Sequence, residues 1–362
     1  MKQRLSNIEL LRIISMLMII TLHLLSFGGM LNTYNSFSIR GVCVWITESL
    51  CFVAVNCYVL ISGYFLIDSK FKFKKLFNIW IEALFYSLVI YGVLLLTNKI
   101  EFGYKAFLQS LFPIILKNYW FVTVYAVLYI LSPFLNKLIH SLNKKQYFYL
   151  ILVIFIIFST WSTLIPPADT INYGGSYSIS WFICLYLVAG YLKLFYSNKQ
   201  IKKRFCLFVY LIASIINVIA FFGIKALNIS LILPDFLYNY YSITVLIAAI
   251  SLFLFFKDLK IKQKFIDKIV NFFAPTTFAI YLIHENPNIR SILWEKFYFV
   301  STEPFIKMIL LIIIVPILLF ILFALIDKLR FVLFKLVKEM IPNNKFFKFS
   351  YLKKWEETLC QK

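Results

Sequence analysis

IELLRIISMLMIITLHLLSF, Ile8 to Phe27, is a twenty-residue apolar stretch that nevertheless carries Glu9, Arg12 and His23. A helix needs about 20 residues to cross a hydrocarbon core about 30 Å thick, so this stretch reads as a membrane span. It begins like a secretory leader, with Lys2 and Arg4 ahead of an apolar core. It lacks a small-residue cleavage site and holds charged residues inside the apolar run, so it is expected to remain as an uncleaved first helix.

The rest of the chain has the same character. Of 362 residues, 62% are hydrophobic and 15% charged, with a mean hydropathy of +0.84. Soluble domains are about 45–50% apolar and about 25% charged, so a water-soluble globule is excluded, as is a disordered chain. Forty Phe and 23 Tyr suit a lipid-facing surface with aromatic belts at its edges. Apolar runs of spanning length fall near 8–27, 42–67, 76–97, 119–136, 147–166, 176–196, 205–224, 236–256, 269–286 and 305–327. A shorter piece at 106–116, interrupted by Pro113, reads as interfacial or re-entrant. The expected fold is all-α: a polytopic membrane bundle of about ten transmembrane helices over residues 1–330. No fixed-period repeat and no soluble domain is expected. Residues 331–362 form a basic tail, where Phe331, Phe334 and Val337 recur at helical spacing among lysines, the pattern of an amphipathic helix on the inner membrane face.

The formal net charge of +21 is explained by topology. With the amino terminus placed in the cytoplasm, 28 Lys and Arg fall on the inner side and 7 on the outer, every inner loop being basic. That asymmetry orients the bundle with both termini cytoplasmic and leaves no call for a nucleic-acid partner. Six cysteines lie singly, with no ligand spacing, so they read as packing residues and no metal site is expected.

An ionisable group inside a span is expensive and marks a functional hypothesis. Eleven residues place Arg12 and His23 about 20° apart around a helix and about 16 Å apart along it, on one face. Two readings remain: an interfacial Arg with its head in water beside a packed His, or a working pair. Glu48, at the expected depth of His23, is either an interfacial carboxylate or the group that orients the imidazole. His140 sits in a basic inner loop and reads as surface. No GxSxG elbow, Walker A loop or GxGxxG is present, which removes support from a serine esterase, an ATP-driven pump and a nicotinamide enzyme.

Several segments together resemble the membrane acyltransferase-3 family. Asn7-Ile8-Glu9-Leu10-Leu11-Arg12, followed by ten residues and His23, is similar to its Arg-x10-His signature. Leu60-Ile61-Ser62-Gly63-Tyr64-Phe65 resembles its Ser-Gly-Tyr element. Asn118-Tyr119-Trp120-Phe121 and Leu131-Ser132-Pro133-Phe134-Leu135-Asn136 resemble its polysaccharide-modifying branch, and Ile280-Tyr281-Leu282-Ile283-His284-Glu285-Asn286 its late Tyr-Leu-Ile-His element. The likeness covers about residues 5–330. Where many members carry Arg-x-Arg after the second span, this chain has Lys70, Lys72, Lys74 and Lys75, which attract phosphate only as point charges.

The resemblance implies a multi-pass enzyme of the bacterial plasma membrane that moves acetyl from acetyl-CoA to a hydroxyl of a surface polysaccharide or lipid-linked glycan. A hydroxyl needs a base to become a competent nucleophile, and His23 is the expected one. Arg12 is expected to hold the acyl-CoA, with Lys72 and Lys74 as further donor contacts, and Glu48 to orient His23. Trp120, His284, Glu285 and Arg290 are expected at the acceptor pocket. The alternative is an exporter of a glycan or glycolipid with the same charges lining a path; the absence of paired broken helices in the hydropathy counts against it.

Overall fold

The computed structural model describes residues 5–34, 37–116, 118–165, 175–196, 201–229, 232–340 and 356. Within these, every regular element is helical, as the bilayer requires of a chain that must satisfy its backbone internally. The main helices are α1 (Ser6–Phe27), α2 (Ile39–Cys51), α3 (Ala54–Leu66), α4 (Phe73–Leu96), α5 (Tyr104–Leu111), α6 (Trp120–Ser141), α7 (Lys144–Phe155), α8 (Ile179–Phe195), α9 (Lys203–Ala226), α10 (Ile243–Lys257), α11 (Lys264–Phe273), α12 (Thr277–His284), α13 (Pro287–Glu295) and α14 (Phe305–Met340).

Eight helical segments among the described residues are long and apolar enough to cross a membrane. The other two expected spans, α8 and α10, are apolar helices of 17 and 15 residues, packed against α3 inside the bundle. The 106–116 piece overlaps the eight-residue helix α5, which begins two residues earlier, and is no span.

Two spans are interrupted, which hydropathy did not reveal. The second breaks at residues 52–53 between α2 and α3, with no Gly or Pro to announce it. The ninth changes to a 3-10 turn at Ala274–Thr276 between α11 and α12, where Pro275 supplies no backbone donor. The helix begun by α7 loosens to a π-turn over Ile156–Trp161. Irregular backbone at membrane depth is tolerated where protein encloses it.

α1 runs through the middle of the bundle, against α2, α3, α10, α11 and α14. Asn7 ties its start to α10 by donating to the carbonyls of Phe256 (3.0 Å) and Lys257 (2.7 Å), carbonyls that a helix end leaves open. A Cβ at Gly63 of α3 would sit 2.8 Å from the Cβ of Ala189 on α8; the two backbones approach because neither side chain is large. In the next motif, Asn136 donates to the Leu66 carbonyl (3.1 Å) and accepts from Tyr186 (2.7 Å). Exposed Leu310, Leu318, Leu322 and Leu329 on α14 form its lipid-facing side.

One polar cluster inside the spans was not anticipated. Arg330 on α14 donates to Asp327 (2.7 Å) and across to Glu82 on α4 (3.0 Å), while Tyr86 donates to Asp327 (2.7 Å). Arg330 was counted with the basic tail; it is instead buried and paired. α14 continues without a break past residue 330 to Met340. Residues 341–355 and 357–362 of the tail, and 166–174 of the expected outer loop free of Lys and Arg, lie outside the described residues.

Candidate active site

One face of α1 lines a cavity of about 730 Å³: Arg12, Met16, Ile19, His23, Ser26 and Phe27 all contribute to its wall. The spacing of these residues is the helical repeat, and it places Arg12 toward one end of the wall and His23 toward the other. Near Arg12 the opposite wall is polar and aromatic, with Tyr58, Ser62 and Tyr125. Ser62 belongs to the Ser-Gly-Tyr element, whose glycine packs α3 on α8. Arg12 itself is 30% exposed, and its Nε lies 3.4 Å from Glu9, one turn back. No partner for its two terminal nitrogens is found among the described residues, so they are available to a ligand.

At the other end His23 faces Glu285. Its Nδ1 lies 3.2 Å from Glu285 Oε2, close but short of a well-aligned hydrogen bond; such contacts often tighten only when substrate binds. The second carboxylate oxygen accepts from Arg290 Nη1 at 2.8 Å, and the Arg290 guanidinium lies over Phe27, 4.8 Å from the ring centre. Nδ1 of His23 is enclosed while the ring is 21% exposed, so Nε2 is the nitrogen left for the cavity. A carboxylate at Nδ1 favours the tautomer with its proton there and a lone pair on Nε2.

The frame behind this end explains the late motif. His284 is fully buried against the His23 ring, centroids 5.1 Å apart, and its Nδ1 is 2.6 Å from the Ile280 carbonyl. Asn286 caps α13 by accepting from the Asn288 backbone N–H (3.0 Å) and donates to Tyr119 Oη (2.7 Å). Tyr119 donates to the Leu282 carbonyl (3.0 Å). The segment carrying Arg290 is thereby fastened to the start of α6, where Trp120 enters the cavity wall.

The expected residues therefore separate. Arg12, His23, Trp120, Glu285 and Arg290 share the cavity, and Glu48 lines it too. The carboxylate at the imidazole is Glu285, however, and not Glu48; the break at residues 52–53 ends α2 just beyond Glu48 and leaves it on another part of the wall. His284 stands behind the wall and supports it. Lys72 and Lys74 are exposed at the start of α4 and do not line the cavity; Lys72 is held there through its backbone, which donates to Tyr129 Oη at 2.9 Å and accepts from it at 3.2 Å. Sequence reasoning missed Phe52, Tyr177 and Tyr240 of the lining, because in a chain with 40 Phe and 23 Tyr an aromatic residue is no signal.

Donor atoms of His23, His284 and Glu285 all lie within 4.8 Å of one another, a set that by type suits a divalent metal. Arg290 already holds the same carboxylate and places a positive charge beside any dication there, which opposes metal binding at this point.

The site is thus a histidine–carboxylate–arginine chain opening on a cavity inside a helical membrane bundle. The family profile for the acyltransferase domain of the acyltransferase-3 family matches residues 5–327, and the chain belongs to that family. It is a multi-pass membrane acyltransferase. No curated protein and no solved structure matches the chain.

Proposed function

We propose that the protein is an O-acetyltransferase of the bacterial plasma membrane, with both termini cytoplasmic. It takes acetyl from acetyl-CoA and places it on a sugar hydroxyl of a surface polysaccharide or lipid-linked glycan. The observation that carries this reading is one cavity along α1, with the terminal nitrogens of Arg12 open to a ligand at one end and a carboxylate-backed imidazole at the other.

Arg12 lies toward the side where the basic loops place the cytoplasm and coenzyme A. Its fork can grip a phosphate or the amides of the pantetheine arm, and that extended arm has the reach to bring a thioester along α1 to His23. Lys72 and Lys74, outside the wall, would contribute attraction for the anionic donor without shaping the site. At the far end His23 Nε2 accepts the proton of the sugar hydroxyl as its oxygen attacks the thioester carbonyl. Glu285 stabilises the imidazolium, and Arg290 holds Glu285 in place, the logic of a base oriented by a carboxylate. Collapse of the tetrahedral adduct breaks the C–S bond, and the thiolate leaves with the imidazolium proton. An acetyl-imidazole formed on His23 and then attacked by the hydroxyl satisfies the same balance.

The test is mass spectrometry of surface glycan from cells carrying the wild type, His23→Ala, or no copy. Acetyl per sugar is expected to fall to background in the variant while glycan export stays normal. Reduced export with unchanged acetyl per sugar would instead make the protein an exporter.

A further inference from the structure

The transfer chemistry leaves one buried carboxylate without a task. Glu48 is 6% exposed and lines the cavity. Its Oε2 is enclosed with no hydrogen-bond partner, and no ion pair to it is found among the described residues. A buried carboxylate is costly unless something pairs with it. Around it stands an aromatic wall: Phe52, Trp120, Tyr177 and Tyr240 line the same cavity. The Tyr240 ring lies 5.1 Å from Phe52 and 6.4 Å from Trp120, within 19° of parallel to the latter. Tyr177 stands edge-on to Trp120 at 4.5 Å and to Tyr240 at 5.8 Å.

We infer that this wall is the acceptor subsite and that it takes an uncharged sugar ring, with ring hydroxyls donating to Glu48 and the C–H face lying on the aromatic rings. The inference rests on the proposed acetyl transfer for the reaction and adds where the acceptor sits and which sugars fit. A carboxyl group keeps acceptor oxygens in either protonation state, so a ligand that brings hydroxyl donors satisfies it. Aromatic faces reward apolar C–H surface, and a pyranose offers both. The anionic donor does not suit this wall: among the described residues no cation pairs with Glu48 there, Arg290 is held by Glu285, and Arg12 stands beside Glu9 at the other end of the cavity. For the same reason a uronic acid or phosphorylated ring is disfavoured here.

The test uses the full chain in lipid nanodiscs and saturation-transfer NMR with methyl β-glucopyranoside, methyl β-glucuronide and tetramethylammonium, with acetyl-CoA binding followed by calorimetry. The glucoside is expected to receive saturation on its ring C–H protons, and the glucuronide to bind about tenfold more weakly. Glu48→Gln is expected to weaken the glucoside about tenfold, the scale of one hydrogen bond, and to narrow its advantage over the glucuronide. Trp120→Leu should weaken the glucoside as well, and acetyl-CoA binding should be unchanged in both variants. The subsite is overturned by a silent glucoside, by a glucoside indifferent to Glu48→Gln, by acetyl-CoA binding that falls with that variant, or by tetramethylammonium displacing the sugar. His23→Gln is expected to bind the glucoside normally, so failure of the transfer chemistry and failure of the subsite give different patterns.

Discussion

Among the described residues two clusters of charge lie within the spans, and they differ in what they face. Around Arg330 the charges answer one another: Asp327 Oδ1 accepts from both Arg330 and Tyr86, and Glu82 takes the other side of the guanidinium. Asp327 Oδ2 is enclosed without a hydrogen-bond partner, but Asp327 does not line the cavity. Around His23 the polar chain ends on a cavity, with Nε2, the Arg12 terminal nitrogens and the Glu48 carboxylate left open. The first cluster fastens α14 to α4; the second can act on a ligand. A charge in a membrane span is thus not by itself the mark of a site. Unfilled hydrogen-bonding capacity facing a cavity is.

The contrast is broken most directly at His23. His23→Gln keeps hydrogen bonding but cannot take a proton at neutral pH. Acetyl transfer by purified protein should fall by about 10²–10⁴-fold, the usual worth of general-base assistance, with folding intact by size-exclusion chromatography and thermal melting. Normal transfer would return His23 to a structural role. Arg330→Met probes the other cluster and should do the reverse. Removing one partner of a buried ion pair costs about 3–5 kcal/mol, read as a lower melting temperature and less protein recovered, while activity per folded molecule stays near wild type. If activity per folded molecule is lost instead, the Arg330 cluster is part of the site.

Smaller effects sharpen the assignment within the cavity. Glu285→Gln should lower kcat, because the imidazolium loses its counter-charge, whereas Glu48→Gln should act on the acceptor KM; the same split for both variants would undo the distinction between the two carboxylates. Arg12→Lys keeps the charge and loses the planar fork, so acetyl-CoA KM should rise about tenfold, the worth of one charge-assisted hydrogen bond. The smallest expected effect is that of a chelator. EDTA should leave transfer unchanged, since Arg290 occupies the carboxylate that a metal would need; activity lost to EDTA and restored by zinc would reassign His23, His284 and Glu285 as ligands.

Much of this was legible in the chain. The apolar runs show where helices cross because hydropathy and length are properties of a segment alone. The shared face of Arg12 and His23 follows from the helical repeat, which backbone hydrogen bonding imposes within a few residues. The segments Asn118 to Phe121 and Ile280 to Asn286 each stood out in the sequence, and the structure joins them through Tyr119 and Asn286.

The sequence by itself determined the class of solvent this protein lives in, the positions of its spans, the family signature and the helix face that carries Arg12 and His23 into the cavity. Only the tertiary structure decided that Glu285 rather than Glu48 meets His23, that Arg330 belongs to α4 and α14 rather than to a cytoplasmic tail, and that the second span breaks beside the cavity. The reason is physical. Periodicity and hydropathy are written locally, whereas the partner of a buried charge is chosen by which helices pack together, and residues 248 apart, such as Glu82 and Arg330, share no local code that would pair them.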